Sequence, residues 1–367
     1  MTGVEAQPES PGCGRFAPSP TGDLHLGNLR TALLAWSLAR QSGRGFLMRM
    51  EDLDARSRPE FVSRQLADLE AVGVEWDGPV LFQSARLQHY RDVVDDLSSR
   101  GMLYECYCTR RDLAEAPSAP HSPPGAYPGT CRGLSERERS ERRAALTNRG
   151  PALRLAAQAG SVAVVDAVFG PYTGTADDLV ILRGDGVFSY NFASVLDDAA
   201  TGVTQVVRGD DLLPSTPRQA HLHELLGFTL PEYAHVPLVE NAEGARLAKR
   251  DGAVTMEALK GFGWTPADVV ELLGASLGMG HPRTAAEFAD LLRVPDLRRP
   301  AWRIDPAILE SGPTPETFKE LTAAEPAQTG KPSQTGKPAQ IDKPAQTDKP
   351  AQTDKPSQTA KPLQAPE

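Results

Sequence analysis

Residues 15–43, RFAPSPTGDLHLGNLRTALLAWSLARQSG, constrain the fold more than any other stretch, because a Pro-rich loop there opens directly into an amphipathic helix. Leu26, Leu29, Leu33 and Trp36 recur at steps of three, four and three, which predicts one apolar helical face, and Gly43 predicts its stop. Ahead of the helix, Pro18, Pro20, Gly22, Asp23 and His25 make a stiff polar turn. A helix that begins this way draws anions, since its first backbone N–H groups lack intrahelical partners and the helix dipole is positive there. His25 and Gly27 would let a nucleotide come close to the backbone. An ordinary capped core helix would use the same residues, so this loop alone does not assign a function.

The alternation continues. GFLMRM at 45–50 predicts a strand, followed by the charged EDLD at 51–54. A helix starts near Pro59, with Val62, Leu66 and Leu69 on one face and Gly73 at its end; another begins after Ser84, carries Leu87, Tyr90, Val94 and Leu97, and stops at Gly101. Strands and helices at this spacing predict parallel βαβ units, hence an α/β fold with a Rossmann-like doubly wound parallel sheet. The pattern breaks over 104–133, where Cys106, Cys108 and Cys131 are joined by a long Pro-rich loop, and a strongly charged helix follows over 135–148. Strand-like segments resume at PALRLAA, SVAVVDAV and LVILRGDGVFSY, the last with a hairpin turn at 183–186. A helix near 191–200, a strand VTQVVR and a helix started by Ser215, Thr216 and Pro217 complete the sheet's second half.

This reading divides the chain into a disordered lead (1–14), a first catalytic half (15–104), a cysteine-bearing insertion (105–177), a second half (178–258), a short helical region (259–313) and a disordered tail (325–367). The tail repeats a hexapeptide, from TGKPSQ to TAKPLQ, with one Lys-Pro per unit and almost nothing apolar to build a core.

A formal net charge of -9 excludes a protein that coats nucleic acid wholesale and leaves a local basic patch as the means of RNA contact. No basic start leads into an apolar run, and no stretch reaches the length of a membrane span, so a cytoplasmic protein without membrane contact is expected, and it is taken as a monomer. Three of the four cysteines cluster, which fits metal ligation in a reducing compartment better than a disulfide framework; Cys13 sits alone in the polar lead and reads as incidental. The loop between the cysteines offers His121 and Tyr127 as a fourth ligand, and neutral imidazole is the better donor chemically, because a phenol must first lose a proton with a pKa of about 10.

PSPTGDLHLGNLRTALLAW resembles the signature loop and helix of the class I aminoacyl-tRNA synthetases, and within them the glutamyl branch. HLGN stands where that family has its HIGH motif, and RLAKR at 246–250 stands where it has its KMSKS loop; the resemblance runs from Arg15 to roughly Leu259. It implies that a glutamate carboxylate attacks the α-phosphate of ATP, supplied with Mg2+, to give an acyl-adenylate and pyrophosphate. The nucleophile is already ionised, so positioning and positive charge are needed rather than a general base. By resemblance His25, Gly27 and Lys249 are the catalytic residues, with Asn28 and Arg246 also at the ATP. The chain departs from the family at Arg246, where Lys is usual, and at Ala248, where Ser is usual.

The family's glutamate positions fall on Arg15, Phe16, Ala17, Pro18, Ser19, Glu51, Tyr190 and Arg208, with Glu51 taking the amine. An arginine suits a carboxylate because its planar fork pairs both oxygens. Each also has a plainer reading: Arg208 as a strand-end surface charge, Tyr190 as a core aromatic, Glu51 as a cap on the following turn. YPGTC matches the Tyr-to-Cys spacing of a zinc site in the short glutamyl-Q branch, which implies one structural zinc on Cys106, Cys108, Tyr127 and Cys131. That pattern, with only about fifty ordered residues expected after the lysine loop, resembles the glutamyl-queuosine tRNA(Asp) synthetase family. Its members activate glutamate without tRNA and attach it to the queuosine base in the anticodon loop of tRNA(Asp). The rivals are a truncated glutamyl-tRNA synthetase charging tRNA(Glu), a noncatalytic RNA-binding zinc protein, and a small-molecule nucleotidyltransferase, whose HxGH loop would need a second His where Asn28 stands.

Overall fold

The computed structural model describes residues 12–109, 111–112, 127–157, 160–247, 254–298 and 300–322. Five expected features lie outside these residues: residues 1–11 of the lead, His121, Ala248, Lys249 and the tail at 325–367.

The chain opens with β1 (Cys13–Phe16), α1 (Leu26–Gln41), β2 (Gly45–Met50), α2 (Pro59–Ala71) and the short β3 (Leu81–Phe82). These strands pair in parallel in the order β1-β2-β3, with Cys13 opposite Gly45 and Phe16 opposite Met48. After α3 (Leu87–Ser99) the chain leaves this sheet through β4 (Leu103–Cys106), α4 (Glu136–Ala144) and β5 (Ala152–Leu155). An antiparallel hairpin follows, β6 (Ser161–Asp166) and β7 (Gly170–Thr175), and then β8 (Val180–Leu182), which joins β4 and β5 in an antiparallel sheet. α5 (Tyr190–Ala200), β9 (Gln205–Gly209), α6 (Thr216–Leu225) and β10 (Glu232–Val236) form the second parallel half, in the order β7-β6-β10-β9. The two halves meet at β1 and β9, where the Cys13 N–H donates to the Gly202 carbonyl at 3.2 Å and the Thr204 N–H to the Cys13 carbonyl at 2.9 Å.

This seam corrects the reading of the lead. Cys13 and Gly14 are strand residues, and Cys13 is buried with its thiol directed at the Gly202 carbonyl, 3.2 Å away. Burial pushes that thiol up to about 11. The β6–β7 hairpin, expected inside the insertion, lies beside β10 through the Tyr233–Asp166 pairing and so lengthens the parallel sheet.

Alternation along β1 places helices on both faces of the sheet: Phe16 packs into the core that α1 shares, while Arg15 reaches Asp198 on α5. Leu26, Leu29 and Leu33 are buried as the periodicity predicts, but Leu34 and Leu38 are buried too, and Trp36 only partly. α1 is covered on more than one side, which a single-stripe pattern does not anticipate. β11 (Val239–Asn241) precedes the later helices α7 (Met256–Gly261), α8 (Pro266–Ala275) and α9 (Ala285–Leu291). Gln41 at the end of α1 donates to the carbonyls of Ala289 and Leu292 at the end of α9, at 2.5 and 3.0 Å. β12 (Trp302–Ile304) pairs in parallel with β11, placing Trp302 under the Arg30 guanidinium of α1 at 5.7 Å, and α10 (Pro315–Thr322) follows. α1 stops at Gly43 with φ of 70°, a conformation that glycine adopts without strain. Among the described residues no helix is long and apolar enough to cross a membrane.

Candidate active site

The β1–α1 loop takes its shape from α2 and the chain after β2. Gln65, buried, donates to the carbonyls of Gly22 at 2.6 Å and Ser19 at 3.1 Å, while the Pro18 and Pro20 carbonyls accept from Glu51 and Arg58 N–H groups at 2.9 and 3.0 Å. Loop carbonyls with protein partners need no water to satisfy them. His25 then caps α1: its Nδ1 accepts the Gly27 N–H at 3.1 Å, and Asn28 Oδ1 accepts the His25 N–H at 3.1 Å. With Nδ1 an acceptor, a neutral imidazole carries its proton on Nε2, where it is a donor suited to phosphate. A Cβ on Gly27 would stand 3.0 Å from the His25 ring and 3.4 Å from Val239, so any larger residue would press on the capping ring.

Arg246 and Leu247 on one side and Val254 on the other approach the same helix end. The Leu247 N–H donates to Val239 at 3.0 Å, and the Leu26 N–H donates to Val254 at 2.9 Å, which ties both flanks of 248–253 beside the first turn of α1. Arg246 pairs with Asp211 at 3.1 Å. Next to it Asp210 is pushed up to about 6, by burial first and then by the charges of Asp211 and Glu240.

On the other face of the sheet, Arg49 from β2 is fully buried and pairs with Asp198 at 2.6 Å, Glu51 at 3.3 Å and the Ser194 hydroxyl at 3.3 Å. Arg15 reaches the same Asp198 oxygen through Nε at 3.4 Å and donates through Nη1 to the Val207 carbonyl at 3.2 Å. Burial alone would raise the Asp198 carboxyl, but the two guanidinium groups hold it below the ordinary carboxylate range. Glu51 is raised by burial against the pull of Arg49 and Arg15. Neighbouring Asp197 accepts from Tyr90 at 2.7 Å, Gln83 at 2.9 Å and Arg86 at 2.5 Å.

Arg208 on β9 is buried over the Tyr233 ring, 5.5 Å from its centroid. Burial pushes the Tyr233 phenol up to about 12, and Arg208, Asp198, Arg15 and Tyr190 all lie close enough to act on it electrostatically. Arg15 and Arg208, 193 positions apart in the chain, thus both act electrostatically on one tyrosine, as does Tyr190. The plainer readings do not hold: Arg208 is not a surface charge, Tyr190 is 39% exposed at the start of α5, and Glu51 is paired with Arg49 rather than capping a turn.

The sequence model of the family described as class I tRNA synthetases (E and Q), catalytic domain, matches residues 13–291. The chain belongs to this class I synthetase family. It is 55% identical over 317 residues to a protein named glutamyl-Q tRNA(Asp) synthetase from Nocardia farcinica, covering 86% of this chain and 100% of that one. A relative of the same name from Symbiobacterium thermophilum is 46% identical over 303 residues, 78% of this chain and 93% of that one. A glutamate–tRNA ligase of Geobacter sulfurreducens is 41% identical over 275 residues, 73% of this chain but 57% of the ligase. Among solved structures, a glutamate-tRNA synthetase from Elizabethkingia anophelis superposes with a TM-score of 0.66 at 25% identity, over 84% of this chain and 69% of that one. The chain is accordingly a ligase of the class I aminoacyl-tRNA synthetase type, a family that uses glutamate, ATP and tRNA.

This class I synthetase also carries a cysteine cluster. Cys106 ends β4, and its Sγ, with those of Cys108 and Cys131, falls within a 4.8 Å group that could hold a metal ion. Cys108 and Cys131 Sγ are 3.6 Å apart, near the separation of about 3.8 Å that tetrahedral zinc with Zn–S bonds of about 2.3 Å requires. Tyr127 Oη stands 3.5 Å from Cys106 Sγ and 4.0 Å from Cys108 Sγ, and accepts the Cys131 N–H at 2.9 Å. Its phenol is raised by burial first and then by hydrogen bonds with Cys106 and Cys131, so it meets a cation as a neutral oxygen unless the cation displaces its proton. The donor set suits a soft divalent ion such as zinc.

Sequence reasoning passed over Arg49, Asp198, Gln65 and His235. Asp198 carried a usable signal: two adjacent acids in the otherwise apolar NFASVLDDAA cannot both face water on a buried helix. Gln65 and His235 carried none, because their partners are distant in the chain.

Proposed function

We propose that this synthetase activates glutamate with ATP, without tRNA, to glutamyl-adenylate and pyrophosphate, and transfers the glutamate to the queuosine base in the anticodon loop of tRNA(Asp), in the cytoplasm and as a monomer. The observation that carries this reading is the 55% identity along the full length of a relative named for that activity. The buried polar network supports the choice of amino acid. Arg208 takes the side-chain carboxylate, Glu51 the amine, and Arg15 and Tyr190 with the Phe16, Ala17, Pro18 and Ser19 segment line the remaining surface. At the α1 N-terminus His25 Nε2, the Gly27 backbone and the Asn28 side chain meet the nucleotide; Lys249 and Arg246 meet the phosphates and the leaving pyrophosphate, with Mg2+ on the ATP.

The substrate carboxylate attacks the α-phosphorus in line, the bond to the pyrophosphate oxygen breaks, and no proton need move at neutral pH. What the protein adds is fixed positive charge where negative charge gathers. Cys106, Cys108, Cys131 and Tyr127 would hold one zinc, whose part is to cross-link the insertion rather than to join the reaction.

Glutamate-dependent ATP–pyrophosphate exchange by the full chain, with and without tRNA, tests the reading. Exchange without tRNA is expected, followed by glutamate transfer to queuosine-bearing tRNA(Asp). Exchange only with tRNA(Glu) would support instead a shortened glutamyl-tRNA synthetase, which the Geobacter sulfurreducens similarity keeps in view. Folded protein with no exchange under either condition would leave a noncatalytic RNA-binding role.

A further inference from the structure

We propose that Asp166 and His235 form a buried positioning dyad that fixes the guanidinium of Arg208 and so sets the affinity for the side-chain carboxylate of the amino-acid substrate. The proposal rests on the assignment of Arg208 to that carboxylate.

Arg208 is held at all three of its nitrogens. Nε donates to His235 Nε2 at 3.0 Å, Nη1 to Gln219 Oε1 at 2.7 Å and Nη2 to Thr216 Oγ1 at 2.8 Å. His235 Nε2 and Thr216 Oγ1 are themselves 3.1 Å apart, so together they close one edge of the planar fork. A guanidinium has five N–H donors, and these three bonds leave two for a ligand. Two is the number a bidentate carboxylate takes.

The tautomer of His235 follows from its partners. Arg208 Nε–H can only donate, so His235 Nε2 must be unprotonated and accepting, and the ring proton must sit on Nδ1. Nδ1 lies 2.6 Å from Asp166 Oδ2, which takes that proton's hydrogen bond. A doubly protonated ring would turn a donor against a donor. The fold guards against this: burial lowers the imidazole to about 4, well under its ordinary value.

Asp166 is anchored independently. Its Oδ1 accepts the N–H groups of Val168 and Phe169, both at 2.9 Å, and its Oδ2 accepts the His235 N–H at 3.0 Å. It sits at the end of β6, and its side chain and that of His235 are both fully buried. Burial would raise the Asp166 carboxyl, but the bonds from His235 and the backbone hold it below the ordinary range, so a carboxylate stands behind the imidazole and Arg208 before any ligand arrives. The substrate therefore meets a guanidinium whose plane is already set, and the ordering of a long side chain does not weaken its binding.

A merely structural polar cluster makes a different prediction, and two isosteric halves of the imidazole separate them. In His235→Gln the amide oxygen takes the place of Nε2 and still accepts from Arg208; in His235→Asn the amide takes the place of Nδ1, still donates to Asp166, and leaves Arg208 Nε without its acceptor. In ATP–pyrophosphate exchange by the full chain, His235→Asn is expected to raise the KM for glutamate on the order of tenfold, the worth of a hydrogen bond to a charged group. The KM for ATP should stay unchanged, and His235→Gln should recover most of the loss. Equal glutamate KM in the two variants, or a parallel rise in the KM for ATP, would overturn the dyad. Arg208→Gln keeps this failure distinct. If that variant retains the parent KM for glutamate, the assignment of Arg208 has failed; if it raises the KM while the two His235 variants agree with each other, the dyad alone has failed. Nitrogen-15 NMR of the imidazole in the unsubstituted protein adds a measurement that no variant's folding can spoil: a proton on Nδ1 is expected, and a proton on Nε2 would sink the proposal.

Discussion

The network around Asp198 and the cluster around Cys106, Cys108 and Cys131 are both buried and polar, but they are balanced by opposite means. In the first, the guanidinium groups of Arg15 and Arg49 face the carboxyl groups of Asp198 and Glu51, so the charges compensate one another within the chain. In the second, three thiols and a phenol face each other, with the Arg142 guanidinium 4.0 Å from Cys131 Sγ and the Arg154 guanidinium 3.7 Å from the Tyr127 ring centroid. Burial, reinforced by the neighbouring thiols, pushes Cys108 up to about 12. The thiolate that a metal needs is resisted at Cys108 but favoured at Cys131, where burial is outweighed by hydrogen bonds with Tyr127 and the neighbouring thiols. The proposed amino-acid pocket pairs its charges within the chain, whereas the proposed zinc site would be completed by its ion.

The largest test of that contrast is Asp198→Ala. It leaves Arg15 and Arg49 buried without their shared partner and should cost about 3–5 kcal/mol in urea unfolding. A variant as stable as its parent would show that the network is not self-balanced. Second, zinc at a hundredfold its dissociation constant should add about 2.7 kcal/mol, and a chelator should remove it, as read from the thermal midpoint. Cys131→Ser should be blind to both reagents; a parent protein equally blind would break the comparison from the other side.

Third comes pH. His235 titrates near 6.5 in an unfolded chain but near 4 in the fold, so between these values the unfolded state carries more protons and stability falls as pH falls. The slope approaches about 1.4 kcal/mol per pH unit. Asp210, raised from 3.8 to about 6, works in the opposite sense over much of this range, so the difference between parent and His235→Gln isolates the histidine. An identical pH profile in the two would remove His235 from the account. The smallest effect is Ser135→Ala. Ser135 caps α4 in a reciprocal box with Glu138, and its loss should cost about 1 kcal/mol, visible as faster amide exchange within α4 while α1 is unaffected.

The same contrast explains what could be read in the sequence. Local chemistry was legible: the α1 cap, the helix stops at Gly43 and Gly101, the turn before Val187 and the cysteine trio depend on residues near one another in the chain. Arg49 and Asp198 were not, because each looks ordinary until the fold brings them together across 149 residues. Nor could the Tyr233–Asp166 register be inferred, so the β6–β7 hairpin was assigned to the insertion rather than to the sheet edge. Cys13 was misread for the same reason, its seam with Gly202 lying 189 residues away. β12 and α10 carry too few apolar residues to announce themselves, and they are fixed by contacts such as the Trp302 indole N–H donating to the Leu321 carbonyl at 2.8 Å.

The separation of Arg15 from Asp198 by 183 residues also bears on how the molecule is made. During synthesis the first strand, its helix and Arg49 leave the ribosome long before α5 exists, and contacts of such long range close late and slowly. For that interval Arg15 and Arg49 must stay hydrated because the carboxylate that allows their burial is missing, and β1 lacks the edge it will share with Thr204. Nascent chains stopped before Asp198 should remain open to proteases and chaperones, and those extended past β10 should become resistant in one step.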